Sequence, residues 1–167
     1  MTLPQFLFFL GFTIVALVVI AFTVVVLRSA RFYDGGAFPT GAMIMRLARP
    51  GRERVELQRW AFYVHRISGA GVFGFLCLHV VDVSLFAFSP AVYDNVHSLY
   101  GTAVMRVIEV GLLFALLFHT FNGLRLVSVD VKDLGIVAST RVLYVVLAST
   151  LVFGIVGAYY ILKPVFL

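Results

Sequence analysis

The sequence predicts an all-α membrane protein built as a bundle of about four transmembrane helices. Of the 167 residues, 62% are hydrophobic and only 13% are charged, whereas roughly a quarter of the residues of a soluble domain are charged. The apolar residues gather into four runs, each close to the roughly 20 residues that a helix needs to cross a bilayer. Short polar connectors separate these runs, so we expect a single membrane domain over residues 1–167.

The four predicted spans cover residues 4–27, 60–86, 102–126 and 141–162. The first span contains no charged residue, and a cleaved signal peptide is its competing interpretation. No basic segment precedes it, however, and it is longer than the apolar core of a signal peptide. We therefore expect a genuine N-terminal transmembrane helix, followed by a mostly irregular polar connector over residues 28–59.

Basic residues predict the orientation of the chain in the membrane. Seven of the thirteen lysines and arginines fall in residues 28–59, whereas residues 87–101 contain none. Because positively charged loops stay on the cytoplasmic side, we place the connectors 28–59 and 127–140 inside and the loop 87–101 outside. Both termini are then outside, in the inner (cytoplasmic) membrane of a cell or in its mitochondrial counterpart. Topology thus explains the net charge of +5, and nucleic acid is not an expected partner.

Three of the four histidines, His65, His79 and His119, lie within predicted spans. An ionisable side chain at such depth is costly and usually has a function. His119 lies in an apolar run, and imidazole is an axial ligand of b-type haem; a histidine that only packs against its neighbours is the alternative. At about 1.5 Å per residue, His79 and His119 differ in depth by roughly 18 Å. If both are ligands they serve separate haem irons, and His97 in the outer loop is expected to be solvated.

A carboxylate accompanies His79, because Asp82 follows it by three residues on the same helical face. A carboxylate in that position can orient an imidazole that ligates a metal. A polar pair near the membrane surface explains the spacing equally well.

A second polar group lies near the inner end of the bundle, and its members are His65, Arg66, Ser68 and Tyr63. A buried guanidinium there can hold an anionic haem propionate or hydrogen-bond a quinone carbonyl. Snorkelling of Arg66 to the lipid headgroups is the alternative. Arg125 either faces a cofactor edge in the same way or marks the end of a helix.

Two motifs resemble those of a known family. Residues 65–69 read HRISG, and residues 119–130 read HTFNGLRLVSVD. This pair, in this order on consecutive spans, is similar to the motifs of the cytochrome b membrane anchor of succinate dehydrogenase, or respiratory complex II. The resemblance covers about residues 60–162, which correspond to the three-helix family core, and it leaves residues 4–27 as an extra N-terminal helix.

The resemblance implies a non-catalytic anchor that binds haem b and part of a quinone site. It would pass electrons from an iron–sulfur subunit to ubiquinone or menaquinone. Its implied partners are that iron–sulfur subunit, a flavoprotein subunit that oxidises succinate, and a second membrane-anchor subunit.

The resemblance also implies residue roles. His119 matches the ligand of the haem iron, and Arg66, with His65, matches residues near the propionates and the quinone. His79 matches a histidine of the two-haem branch, where it would bind a second iron. Phe62 stands where some members have a quinone-binding serine. The contact must then come from Tyr63, from Ser68 or from a partner chain.

Three alternatives stay open at this point. The same architecture serves quinol:fumarate reductases, a haem-free anchor would use its histidines for packing alone, and a small transporter would use His79 and Asp82 as a proton site. The sequence also leaves open whether one or two haems bind, which quinone is used and the oligomeric state, with a trimer of complexes as one alternative.

Overall fold

The computed structural model describes residues 2–33, 36 and 39–166, and these residues form helices and short connectors. The six α-helices of the described chain are α1 Leu3–Tyr33, α2 Gly41–Leu47, α3 Glu53–Phe88, α4 Pro90–His97, α5 Ala103–Lys132 and α6 Ile136–Phe166, with a 3-10 turn at Ser98–Gly101. Four of them, α1, α3, α5 and α6, are long and apolar enough to cross a bilayer. The predicted all-α membrane fold with four spans is therefore confirmed.

The long helices extend well beyond their predicted apolar spans. Helix α3 begins at Glu53 rather than near residue 60, and α5 continues to Lys132 rather than ending near residue 126. Acidic residues in the first turn of α3 and a lysine in the last turn of α5 suit the partial charges of helix ends. The apolar run marks the part of a helix that lies in hydrocarbon, whereas the helix itself continues through polar residues.

The connector between α5 and α6 is only three residues long. Asp133 ends α5 with a left-handed φ of 48°, and Leu134 donates its backbone N–H to the Val129 carbonyl at 3.1 Å. This geometry is a common way to terminate a helix. It turns α6 back along α5 at once, so the predicted connector over residues 127–140 is mostly helical.

Residues 87–101, predicted as a loop, form a short helical cap. Ser89 precedes α4 and its hydroxyl accepts from the Val92 N–H, while Pro90 occupies the first turn. Both features are standard signals for the start of a helix. After the 3-10 turn, Thr102 caps α5 in the same way by accepting from the Met105 N–H.

Helix α3 is the centre of the bundle, with α1 on one flank and α5 and α6 on the other. Helix α6 approaches α5 closely because two glycines of α6 face α5. A Cβ atom on Gly154 would lie 2.2 Å from Cε1 of Phe114, and one on Gly157 would lie 2.5 Å from Cδ2 of Leu113. Small residues at such contacts let the backbones of membrane helices approach each other.

Helix α1 is fixed to the bundle at both of its ends. Near its start, the Gln5 side chain donates to the Asn95 carbonyl of α4 at 2.9 Å. Near its other end, α1 and α2 enclose an apolar cluster that reaches α3, formed by Val26, Ala30, Met43 and Tyr63. The start of α1 thus lies at the same end of the bundle as α4, as the predicted topology requires.

Candidate functional site

Two histidines meet between α3 and α5. The rings of His65 and His119 are stacked, with centroids 4.1 Å apart and planes within 2° of parallel. Nδ1 of His119 lies 3.1 Å from the backbone carbonyl oxygen of His65. Because that oxygen can only accept, Nδ1 must carry the hydrogen, and a neutral imidazole then has an unprotonated Nε2. His119 is therefore held in the tautomer that an axial ligand needs, by the kind of contact that metal-binding histidines make.

Gly69 provides the room that the His119 ring occupies. A Cβ atom at this position would lie 2.7 Å from Cε1 and 3.1 Å from Nδ1 of His119. Both are shorter than ordinary van der Waals contact. Gly123 faces His65 less tightly, since a Cβ there would lie 3.6 Å from Cε1 of that ring. Close packing against the His119 ring thus explains why the last residue of the HRISG motif is glycine.

The stacked pair is not a bis-histidine ligand pair for one iron. A metal–imidazole bond is about 2 Å long, and ligands on opposite sides of an iron point their nitrogens toward each other rather than stacking face to face. A second axial ligand would therefore come from outside this pair. Nδ1 of His65 is buried and has no hydrogen-bond partner among the described residues, so His65 can serve a different group.

Ser68 belongs to the same site but acts indirectly. Its buried hydroxyl donates to the His65 carbonyl oxygen at 3.0 Å, the oxygen that also accepts from His119. Tyr63, in contrast, is buried in the apolar cluster next to α1 and α2. The structure thus joins Ser68 to the two histidines and places Tyr63 on the opposite flank of α3. The predicted roles of both residues in a quinone pocket stay predictions.

Arg66 lies on an open apolar face beside the histidines. Its guanidinium carbon is 5.4 Å from the centroid of the Phe62 ring, a cation–π contact. Phe73, seven residues further along α3 on the same helical face, is 67% exposed. Exposed apolar surface of this kind suits lipid, a cofactor or a partner helix.

Arg125 points away from that face, into the contact between α3, α5 and α6. Its Nη1 donates to Oδ1 of Asn122 at 2.9 Å, and its Nη2 donates to the Ser139 hydroxyl at 2.9 Å and to the Gln58 side chain. Its Nε donates to the Ser139 carbonyl at 3.3 Å. The predicted cofactor contact of Arg125 stays a prediction, and the described contacts of the side chain are with its own helix α5 and with α3 and α6.

His79 borders a separate cavity at the α4 end of the bundle, with a volume of about 530 Å³. Its exposed ring stacks on Phe75, with centroids 5.5 Å apart. The polar residues of the cavity wall are His79, Asp82, Tyr93, His97, Tyr100 and Glu109. The cavity therefore combines an apolar body with several titratable groups in its wall.

The pairing expected between His79 and Asp82 is not formed within the described chain. Asp82 is buried, and its Oδ1 has no hydrogen-bond partner there. Its carboxylate interacts instead with Tyr100 of the 3-10 turn, where burial and then the Asp82 charge and hydrogen bond raise the pKa of the tyrosine hydroxyl. The i, i+3 spacing suggested the pair, but the structure gives the carboxylate a partner on the 3-10 turn instead.

His97, which we expected to be only solvated, packs against two tyrosines of the cavity wall. Its ring stacks on Tyr93 with centroids 5.0 Å apart and lies 5.2 Å from the Tyr100 ring. The four-residue spacing between Tyr93 and His97 puts them on one helical face. That signal becomes informative only once residues 90–97 are recognised as helix.

These features define a helical membrane subunit with ligand-competent histidines inside the bundle. Residues 45–157 match the family model of the succinate dehydrogenase/fumarate reductase transmembrane subunit, and the chain belongs to this family. The match covers α3 to most of α6 and leaves α1 outside. The resemblance seen in the two motifs is thus confirmed.

Curated relatives agree with this assignment. The chain is 39% identical over 93 residues to succinate dehydrogenase 2 membrane subunit SdhC of Mycobacterium tuberculosis, covering 54% of this chain and 68% of the relative. It is 35% identical over 92 residues to a succinate dehydrogenase hydrophobic membrane anchor subunit of Halobacterium salinarum, covering 54% and 70%. No solved structure gives a significant match. The chain is therefore a multi-pass membrane-anchor subunit of the succinate dehydrogenase family, and such a subunit works within a complex.

Proposed function

We propose that this anchor binds haem b through His119 and passes electrons from an iron–sulfur subunit to quinone. The observation that carries the proposal is the contact from Nδ1 of His119 to the His65 carbonyl at 3.1 Å. It leaves Nε2 free to bind iron. Bound haem supplies a one-electron redox centre in the membrane. Among the described residues, no three histidine, cysteine or acidic side chains converge to hold a bare metal ion. A haem, in contrast, would need only one ligand from this chain.

The residues around His119 position its ring. The His65 carbonyl fixes the tautomer, Ser68 donates to the same oxygen, and Gly69 leaves space for the imidazole. Because His65 stacks on His119 rather than facing it end to end, we propose that any second ligand to the haem iron would come from the second membrane-anchor subunit. The open apolar face beside Arg66 is where that subunit would pack.

A second haem at His79 is part of the proposal. His79 follows His65 by fourteen residues, roughly 21 Å along α3, so the two sites are separate. Its ring is exposed beside a cavity of about 530 Å³, within the usual range for cofactor pockets. These two observations support a second haem iron there, as in the two-haem branch.

The quinone site is proposed near His65 and Arg66. A quinone carbonyl accepts hydrogen bonds, and both the guanidinium of Arg66 and Nδ1 of His65 can donate one. Neither has a carboxylate partner among the described ion pairs. Protons for quinone reduction would come through His65, Arg66 and Ser68. An Arg66→Ala enzyme with normal quinone reduction would argue against this route.

The orientation and partners follow from the basic connector. We propose that the arginines of residues 28–59 face the cytoplasm, that both termini face outside, and that the iron–sulfur and flavoprotein subunits dock on the basic side. There α2 is tied to α3 by an ion pair from Arg46 to Glu56 at 3.1 Å. Residues 1–167 would form one membrane domain, with α1 added to a core over residues 60–162.

A reduced-minus-oxidised optical spectrum of the purified complex, with its haem-to-flavin ratio, tests the proposal. Two haems per flavin support both His119 and His79, and one supports His119 alone. His119→Gln should remove one haem per flavin and leave the haem assigned to His79, whereas His79→Gln should remove only the other. An assembled complex without any haem band would favour a haem-free anchor, and transport activity without the soluble subunits would favour a transporter. A complex that oxidises quinol with fumarate much faster than it oxidises succinate would favour the fumarate reductase direction.

A further inference from the structure

Arg125 carries a positive charge that no carboxylate in the described chain neutralises. Its side chain is only 5% exposed, and the ion pairs among the described residues do not include it. Its hydrogen-bond acceptors on Gln58, Asn122 and Ser139 are all neutral. An uncompensated buried charge is costly, so its place in the bundle needs a reason beyond packing.

The neutral acceptors hold the guanidinium in one position. A guanidinium has five N–H groups, and four acceptor contacts leave it one. Gln58 is itself held, because its side-chain amide donates to the hydroxyls of Ser139 and Thr140 at 3.2 Å each. Thr140 in turn donates to the Ile136 carbonyl at 2.7 Å. Three helices thus fix the charge, and a two-pronged contact with a propionate would require breaking part of this network.

The charge lies close to the histidine pair. Arg125 follows His119 by six residues, roughly 9 Å along α5, and Gln58 precedes His65 by seven residues, roughly 10 Å along α3. The step from His119 to Arg125 and the step from His65 back to Gln58 both lead toward the same end of the bundle. Asn122, which accepts from Arg125, lies one helical turn from His119.

We propose that Arg125 raises the reduction potential of the haem held by His119. The inference rests on the proposed haem site and deepens it. Reduction adds one electron to the haem, and a fixed positive charge nearby stabilises the reduced state more than the oxidised state. Inside a bundle of low dielectric constant, this interaction is far stronger than in water. Arg125 is thus a tuning residue, not a ligand.

Redox titration of the haem absorption band in the assembled complex measures this effect directly. Arg125→Gln removes the charge and should shift the midpoint potential to lower values. Gln58→Glu keeps the arginine but places a carboxylate against it, so it should shift the potential in the same direction. Arg125→Lys keeps the charge and should stay near the wild-type potential. Arg141→Gln, an exposed arginine of α6, is the matched control and should change nothing, because solvent and headgroups screen its charge.

Two results would overturn the inference. One is a wild-type potential in both Arg125→Gln and Gln58→Glu with the haem spectrum intact. The other is an equal shift in Arg125→Lys and Arg125→Gln, which would assign the effect to the network and not to the charge. If Arg125→Gln fails to assemble, Gln58→Glu and Arg125→Lys still decide between charge and network. A wild-type complex without haem would instead refute the proposed function itself.

Discussion

The imidazole of His119 lies parallel to that of His65 and donates from Nδ1 to the His65 backbone carbonyl. One residue thus contributes both a stacking surface and a hydrogen-bond acceptor to its neighbour on the next helix. A backbone acceptor cannot be removed by changing the side chain of His65. The orientation of His119 therefore depends mainly on how closely α3 and α5 approach each other, and Gly69 controls that approach.

Gly69→Ala should displace His119 and remove most of the haem bound there. The new Cβ would lie 2.7 Å from Cε1 of His119, and overpacking of this kind typically costs about 1–3 kcal/mol. The haem-to-flavin ratio of the purified complex measures the loss. Gly71→Ala is the matched control, because a Cβ there meets nothing within 4 Å. An unchanged haem content in Gly69→Ala would show that the ring can move without consequence.

Glu56→Gln should loosen α2 from the bundle. The Glu56 carboxylate is buried and pairs with Arg46 at 3.1 Å and Arg59 at 3.2 Å. Both arginines are partly exposed, so we expect a loss of about 1–3 kcal/mol, less than for a fully buried pair. Hydrogen exchange of residues 41–47 reports the change. Glu53→Gln, whose pair with Arg54 is longer and more exposed, should have little effect, and equal exchange in both variants would contradict the assignment.

Gly154→Ala should destabilise the α5–α6 pair more than Gly157→Ala does. A Cβ on Gly154 meets three ring atoms of Phe114 within 2.7 Å, whereas one on Gly157 meets the tip of the flexible Leu113 side chain. We expect a loss of about 1–3 kcal/mol for Gly154→Ala. Thermal unfolding of the detergent-solubilised complex measures it, with Gly111→Ala, which has open space around its Cβ, as the control. If Gly157→Ala lowers the stability more than Gly154→Ala does, the Phe114 ring of α5 must be able to repack.

Tyr100 should ionise later than an ordinary tyrosine as pH rises above about 10. Burial raises its pKa first, and the Asp82 charge raises it further. Because the folded state holds this proton more tightly, the associated stability is present below pH about 10 and is lost at higher pH. The absorbance of tyrosinate, followed as pH rises, should lose a late component in Tyr100→Phe.

Asp82→Asn should move that late component to lower pH without abolishing it, because burial remains. Tyr160→Phe, at an exposed position, is the control and should leave the late component in place. A titration in which Asp82→Asn has no effect would show that the carboxylate does not reach the hydroxyl.

The fold was predictable because the apolar runs of α1, α3, α5 and α6 are long and separated by polar residues. His119 stands out in the sequence for a similar reason, since it interrupts an apolar run, and its role as a haem ligand stays a prediction. The quinone role of Tyr63 stays a prediction. Tyr63 precedes His65 by two residues, about 200° around a helix, which points it to the opposite flank. Helical phase alone would have separated the two.

The rest depends on contacts between residues far apart in the chain. The position of Arg125 is set by Gln58 on α3 and by Ser139 on α6, and no local pattern joins these three. Asp82 meets Tyr100 only because residues 90–101 fold into a helical cap rather than a loop. The sequence thus shows that Arg125 and Asp82 lie in apolar spans, whereas only the tertiary contacts determine which residues they meet.

Helix α1 packs along one flank of α3, between its contact with Asn95 of α4 and the cluster around Tyr63. A core without it would leave that flank of α3 open to neighbours. The helix outside the family match therefore occupies surface of α3 that a partner subunit could otherwise cover.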